Sequence, residues 1–153
     1  MSESRGRAAT ILLAEDDPGD IELTRRAFES GRLRNDLRVV QDGEEAIDYL
    51  FRRNAYKDPE SSPRPDLLLL DLNMPKKDGR DVLRQIRAHP DLKRLAVVVL
   101  TTSDQEKDII ESYDLGVNSY ITKPDNMEDF VASLRTLEDY WFQVVVLPPG
   151  ERA

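Results

Sequence analysis

The sequence predicts an α/β fold. It reads as one doubly wound, five-stranded parallel sheet in the strand order 2-1-3-4-5, with helices on both faces. Three observations predict it. Short apolar runs alternate with helical amphipathic stretches from one end of the chain to the other. Residues 66–70 and 96–100 are nearly continuous apolar runs, as central parallel strands covered on both faces should be, whereas the second and fifth runs are weak and suit sheet edges. Finally, a functional side chain stands at the end of four of the five runs: Glu15-Asp16-Asp17, Asp71, Thr101-Thr102 and Lys123. In a parallel sheet those four ends share one edge.

The elements follow in order. Residues 10–14 form the first strand. Pro18, at a first-turn position where proline is favoured, opens a helix carrying Ile21, Leu23, Thr24, Ala27 and Phe28, which Ser30-Gly31 ends. Residues 37–40 form the second strand, and Arg38 within it suits an edge. Asp42-Gly43 turns into a helix with Ala46, Ile47, Leu50 and Phe51 on one face. Residues 54–65, rich in charge and proline, read as a surface loop longer than most connections in compact domains. The third and fourth strands flank a helix around Val82, Leu83 and Ile86. After Ser103-Asp104 comes a helix with Ile109, Ile110 and Tyr113, stopped at Gly116. Residues 119–122 are a short fifth strand. The last helix carries an apolar stripe of Met127, Phe130, Val131, Leu134, Leu137 and Trp141. Residues 1–9 are expected to be a disordered tail, residues 10–142 one folded domain, and residues 143–153 an apolar C-terminal extension. The sequence has no internal repeat and no low-complexity segment.

Composition narrows the function. The 153 residues suffice for one domain with a sizeable core. Acids outnumber bases 30 to 22, which argues against binding DNA, because phosphate contacts need clustered Lys and Arg. There is no cysteine, so disulfides and thiolate metal sites are excluded. Residues 1–10 are polar and basic and do not read as a signal peptide. No apolar run is long enough to cross a membrane. The expected setting is the cytoplasm.

The order 2-1-3-4-5 reverses beside the first strand, and ligands of open α/β sheets bind at strand carboxyl ends beside such a switch. Glu15, Asp16 and Asp71 fall there. Three carboxylates from two strands make a hard oxygen set of the kind magnesium takes, keeping several waters. Their charge sums to −3, and a divalent ion plus Lys123 would neutralise it. Without the ion, one carboxylate would hold a proton. An acyl phosphate on Asp71 would move its charge from −1 to about −2, and Lys123, the metal and the Thr101 hydroxyl could stabilise that increment.

Each residue taken alone has an ordinary explanation. An Asp after a strand often caps a helix, and Lys-Pro is a common loop dipeptide. The combination at four strand ends is what is specific. Asp17 and Asp20 extend the acidic cluster but are better placed to serve the positive end of the first helix. Lys76, Lys77 and Asp78-Gly79 look like a turn near the site. His89, before Pro90, is expected at the surface.

With these residues in view, the chain resembles the receiver domain of two-component response regulators, a flavodoxin-like (CheY-like) fold. The motifs are Glu15-Asp16, Asp71-Leu72-Asn73-Met74-Pro75, Asp78-Gly79, Thr101, Tyr120 and Lys123-Pro124. The resemblance covers residues 10 to about 140. It implies that Asp71 accepts a phosphoryl group from a histidine kinase. It implies that Glu15, Asp16, Asp71 and the Asn73 backbone carbonyl bind Mg²⁺, with Mn²⁺ able to substitute. Thr101 and Lys123 would contact the phosphoryl oxygens, and Tyr120 would turn inward as Thr101 moves. The family usually has a cis peptide before the proline at Pro124, and many members have Asp where this chain has Glu15. A narrower resemblance rests on the long loop, the run from Asn73 to Arg80 and the aromatic tail. It is to small single-domain regulators paired with phytochrome-type histidine kinases, which would make the kinase a light sensor.

Two competing functions read less well. A carboxylate-nucleophile phosphatase of the haloacid dehalogenase type usually has a second Asp two residues after the nucleophile, where this chain has Asn73. A flavin- or nucleotide-binding module needs a phosphate cradle after the first strand, where Glu15-Asp16-Asp17 would repel a phosphate. Residues 143–153 are too few for a DNA-binding or catalytic module, so output is expected through a downstream protein or by passing the phosphoryl group on. Tyr140, Trp141, Phe142, Val144 and Leu147 make an unusually apolar end. A homodimer on the fourth and fifth helices, the fifth strand and this tail is expected.

Overall fold

The computed structural model describes residues 8–30, 34–72, 74, 76, 79–101, 117, 119–123 and 126–143, the side chains of Thr101, Ser119, Tyr120, Thr122 and residues 138–143 excepted. Five parallel strands form one sheet in the order β2-β1-β3-β4-β5, as expected. They are β1 (Ala9–Ala14), β2 (Asn35–Val40), β3 (Leu67–Asp71), β4 (Ala96–Thr101) and β5 (Ser119–Thr122). The register aligns the strand ends: Ala14 lies beside Val40 and Leu70, Asp71 beside Leu100, and Thr101 beside Thr122. Side chains that follow β1, β3 and β5 therefore emerge along one edge.

Alternation along the strands divides the core into two layers. Ile11, Leu13, Leu67, Leu69, Val98 and Leu100 face α1 (Pro18–Glu29) and the C-terminal helix (Met127–Gln143), meeting Ile21, Ala27, Phe28, Phe130 and Leu134. Leu12, Ala14, Leu68, Leu70, Val97 and Val99 face α2 (Gly43–Phe51) and α3 (Gly79–Ala88), meeting Ala46, Ile47, Leu50, Val82, Leu83 and Ile86. The central strands read as continuous apolar runs because both of their faces are covered.

Four expectations change in detail. β1 begins at Ala9, which is buried and donates its N–H to the Arg34 carbonyl at 2.8 Å, so residue 9 belongs to the sheet. β2 begins at Asn35, whose side-chain amide donates to the Phe28 carbonyl at 3.0 Å and ties the strand start to the end of α1. Met127 is 67% exposed and does not join the apolar stripe. It is the first residue of its helix, held by the Asn126 cap that accepts from the Glu128 and Asp129 N–H groups, one turn short of the first residue that reaches the sheet. Lastly, residues 54–65 are more than a surface loop. They contain a 3₁₀ turn (Asn54–Tyr56), and Ser62 is buried. Side chains of β2 and α2 pin the segment: Arg38 donates to the Ser61 carbonyl, Tyr49 to the Pro63 carbonyl, and Glu45 accepts from the Tyr56 hydroxyl. The expected helix between residues 104 and 116 lies outside the described residues.

Candidate functional site

Glu15 continues β1 by one hydrogen bond, donating its N–H to the Val40 carbonyl at 2.9 Å. That keeps its side chain inside the protein, 1% exposed. Asp17 then takes an extended backbone and caps α1, accepting from the Asp20 N–H at 3.0 Å, with Pro18 in the first turn. The tight cap wraps the first helical turn back over the strand edge. Glu15 is held by both oxygens: one accepts from the Asp17 N–H at 3.2 Å and the other from the Lys123 ammonium at 2.7 Å.

Asp71 is the last residue of β3 and is 5% exposed. The next residue, Leu72, stays anchored, donating to the Leu100 carbonyl and accepting from the Gly79 N–H at 3.1 Å. α3 thus starts pressed against the strand end that carries Asp71. A Cβ on Gly79 would lie 2.8 Å from both the Asp71 carbonyl oxygen and the Leu72 Cα, so only glycine fits there.

Lys123 follows β5 and brings these elements together. Its Nζ lies 2.7 Å from Glu15, 2.9 Å from Asp20 and 3.4 Å from Asp71. Asp16, near Glu15 and Asp71, is exposed. One carboxylate oxygen from each of Glu15, Asp16 and Asp71 falls within 4.8 Å of the others. These three oxygens suit a hard divalent cation, which favours a few carboxylates and open positions for water.

The charges explain what such a cation would relieve. Glu15, Asp20 and Asp71 face the Lys123 ammonium, and Asp16 adds a further negative charge beside Glu15 and Asp71. The Glu15 carboxyl is raised from 4.5 to about 7: burial is the largest cause, Lys123 works against it, and the Asp71 charge and the hydrogen bond with Asp71 add to it. Burial and the Asp71 charge thus both favour the protonated form of Glu15. Burial works against the charged form of Lys123, but the hydrogen bonds to Glu15 and Asp20 and the charges of Glu15 and Asp71 outweigh it, so the ammonium is held above its ordinary range.

Glu15, Asp16, Asp71 and Lys123 are therefore brought together as the sequence predicted. Thr101 ends β4 and Tyr120 pairs with Val99 in β5, which puts their backbones where expected; their side chains lie outside the described set. Asn73 and Pro124 lie outside the described residues, as do Val144 and Leu147. Tyr140, Trp141 and Phe142 belong to the last turn of the C-terminal helix. Asp20 is the residue that sequence reasoning assigned elsewhere. Its place in the first turn is right, but its carboxylate reaches Lys123. The usable signal was position: a short helix start straight after Glu15 returns its first turn to the same edge. Lys76, at a positive φ of 70°, reaches Asp42 at 3.6 Å. His89 packs edge-on against Phe51, and its Nδ1 accepts from the Asp91 N–H.

Comparison with known proteins identifies relatives of the whole fold. Residues 11–135 match the response regulator receiver domain family. The chain is 44% identical to response regulator Rcp1 of Synechocystis over 148 residues, covering 97% of this chain and 99% of that protein. The crystal structure of the Mn²⁺-bound form of Rcp1 superposes with a TM-score of 0.82 at 45% identity, covering 92% of this chain and 99% of the other. The phosphorylated cyanobacterial phytochrome response regulator RcpA superposes with a TM-score of 0.84 at 44% identity, covering 93% and 99%.

Proposed function

This chain belongs to the response regulator receiver family, and we propose that it signals by accepting a phosphoryl group on Asp71 from a phosphohistidine of a kinase. The observation that carries the proposal is the convergence of Glu15, Asp16, Asp71 and the Lys123 ammonium at one sheet edge. In the transfer, an Asp71 carboxylate oxygen forms a bond to phosphorus as the bond from phosphorus to the histidine nitrogen breaks, and the imidazole keeps that electron pair. The acceptor's charge goes from −1 to about −2. Glu15, Asp16, Asp71 and the Asn73 carbonyl would hold Mg²⁺, with Mn²⁺ able to replace it. The ion would supply charge neutralisation at the phosphoryl oxygens.

The chain's own groups do the rest. β3 and the glycine contact at α3 hold Asp71 still. Lys123 supplies a positive charge beside Asp71. The Thr101 hydroxyl would donate to a phosphoryl oxygen, and Tyr120 would turn inward behind it, with Pro124 shaping the loop that carries Lys123. Moving such a switch from 1:99 to 99:1 takes about 5.5 kcal/mol of differential stabilisation, which a few charge-assisted hydrogen bonds could largely supply. Slow hydrolysis of the acyl phosphate would reset it. Incubation with labelled acetyl phosphate tests the assignment: Asp71→Asn and removal of Mg²⁺ should each abolish labelling, and a robustly labelled Asn variant would move the acceptor elsewhere.

The partner follows by similarity. RcpA is a phytochrome response regulator, which supports a light-sensing histidine kinase in the cytoplasm as the donor. Phosphotransfer from a panel of purified kinases would decide it, and transfer from all but the phytochrome type would refute it. The apolar run through Tyr140, Trp141, Phe142, Val144 and Leu147 supports a homodimer using the fourth and fifth helices, β5 and the tail. Light scattering on the full chain and on a chain ending at Phe142 should show a loss of mass on truncation. Equal masses would take the tail out of the interface.

A further inference from the structure

We propose that Asp20 is a positioning residue for Lys123. It holds the ammonium in a resting place, and charging Asp71 has to draw the lysine away from it. This rests on the phosphoacceptor reading above. An ammonium has three donors, and here the two shortest contacts go to Glu15 at 2.7 Å and Asp20 at 2.9 Å, while the acceptor Asp71 is the most distant at 3.4 Å. The lysine is therefore held back from the residue it serves.

The Asp20 carboxylate is not among the three that can share a cation. Its contact in the site is the lysine, and it is delivered from a rigid base. The Asp20 N–H is bound by the Asp17 cap, and its carbonyl accepts from the Thr24 hydroxyl at 2.8 Å. The pair is well sheltered, with side chains 24% exposed for Asp20 and 12% for Lys123. A contact made in the resting state and given up in the charged one opposes the switch by its full worth. Glu15 cannot play this part freely, because it belongs to the metal set.

Beryllofluoride, an unreactive stand-in for the phosphoryl group, gives the test. At saturating Mg²⁺, Asp20→Asn should tighten beryllofluoride binding by about threefold to tenfold, less than the full worth of a charge-assisted hydrogen bond because the Asn side-chain oxygen can still accept from Lys123. Asp20→Glu, which keeps the charge, should return the affinity toward that of the unaltered chain. Removing a negative charge, or one that merely favours the helix end, would also help an anion bind, so the decisive arm is a double-mutant cycle. In a Lys123→Ala background, Asp20→Asn should change the affinity little. An equal gain in that background, or no gain in the unaltered one, overturns the proposal. A second readout needs neither metal nor anion: in the metal-free protein, Asp20→Asn should speed exchange of the Lys123 ammonium protons with water. Unchanged exchange overturns the proposal while leaving Asp71 as acceptor. If the unaltered chain binds no beryllofluoride at all, the phosphoacceptor reading falls, and this inference with it.

Discussion

Replacing Glu15 by Gln removes a charge from the most buried carboxylate of the site while keeping its shape. Its carboxyl is pushed from 4.5 to about 7, and at about 1.4 kcal/mol per pH unit this is worth roughly 3 kcal/mol. The sign follows from proton counting. Between these two values the folded chain keeps the Glu15 proton and the unfolded chain releases it. The contribution is complete below pH 4.5 and is lost as pH rises through about 7. Urea denaturation of protein stripped of divalent ions, repeated across this range, should show the unaltered chain losing roughly 3 kcal/mol more than Glu15→Gln, with carboxylates remote from Glu15 cancelling in the difference. Mg²⁺ held by Glu15 would compete with that proton, so the unaltered chain's affinity for the ion should weaken as pH falls below about 7. Glu15→Gln should bind Mg²⁺ more weakly and without that pH dependence. Parallel stability curves for the two chains would refute the claim that burial, rather than the lysine, governs Glu15.

Two further outcomes concern the frame around the site. Gly79→Ala forces a Cβ to within 2.8 Å of the Asp71 carbonyl and the Leu72 Cα. It should lower stability by about 1–3 kcal/mol and slow acetyl phosphate labelling by displacing Asp71. Thermal melting and labelling rates read this, and a variant normal in both would show that α3 can retreat without cost. Tyr56→Phe removes the hydroxyl that donates to Glu45. It should cost about 1 kcal/mol and hasten limited proteolysis within residues 57–61. Unaltered cleavage would mean that the Arg38 and Tyr49 contacts hold the loop alone.

Much of this was legible in the residue pattern because the cues are local. Continuous apolar runs at Leu67–Leu70 and Ala96–Leu100 mark strands covered on both faces, and weak runs mark edges. Pro18 after Asp17 marks a helix start. Asp78-Gly79 reads as a turn, but the pattern gives no hint that the Asp71 and Leu72 backbone closes around Gly79. Period places Met127 on the stripe of the last helix, but period alone cannot show that it stands before the sheet begins. The segment 54–65 looked like solvent-facing loop by composition, and its burial of Ser62 depends on Arg38, Tyr49 and Glu45 arriving from elsewhere.

The order of apolar runs and the acids, hydroxyl and lysine placed after them determined the sheet, its topology and the edge at which the acids and the lysine meet. Parallel strands leave no other common place for those ends. Which carboxylate meets which charge was settled by tertiary packing alone. Glu15 became a buried group with a displaced titration, Asp20 became a partner of Lys123, and Lys123 came to rest nearer to both than to Asp71. Ion-pair distances and desolvation depend on how helices seat against the sheet in three dimensions, and no spacing along the chain encodes a gap of a few tenths of an ångström.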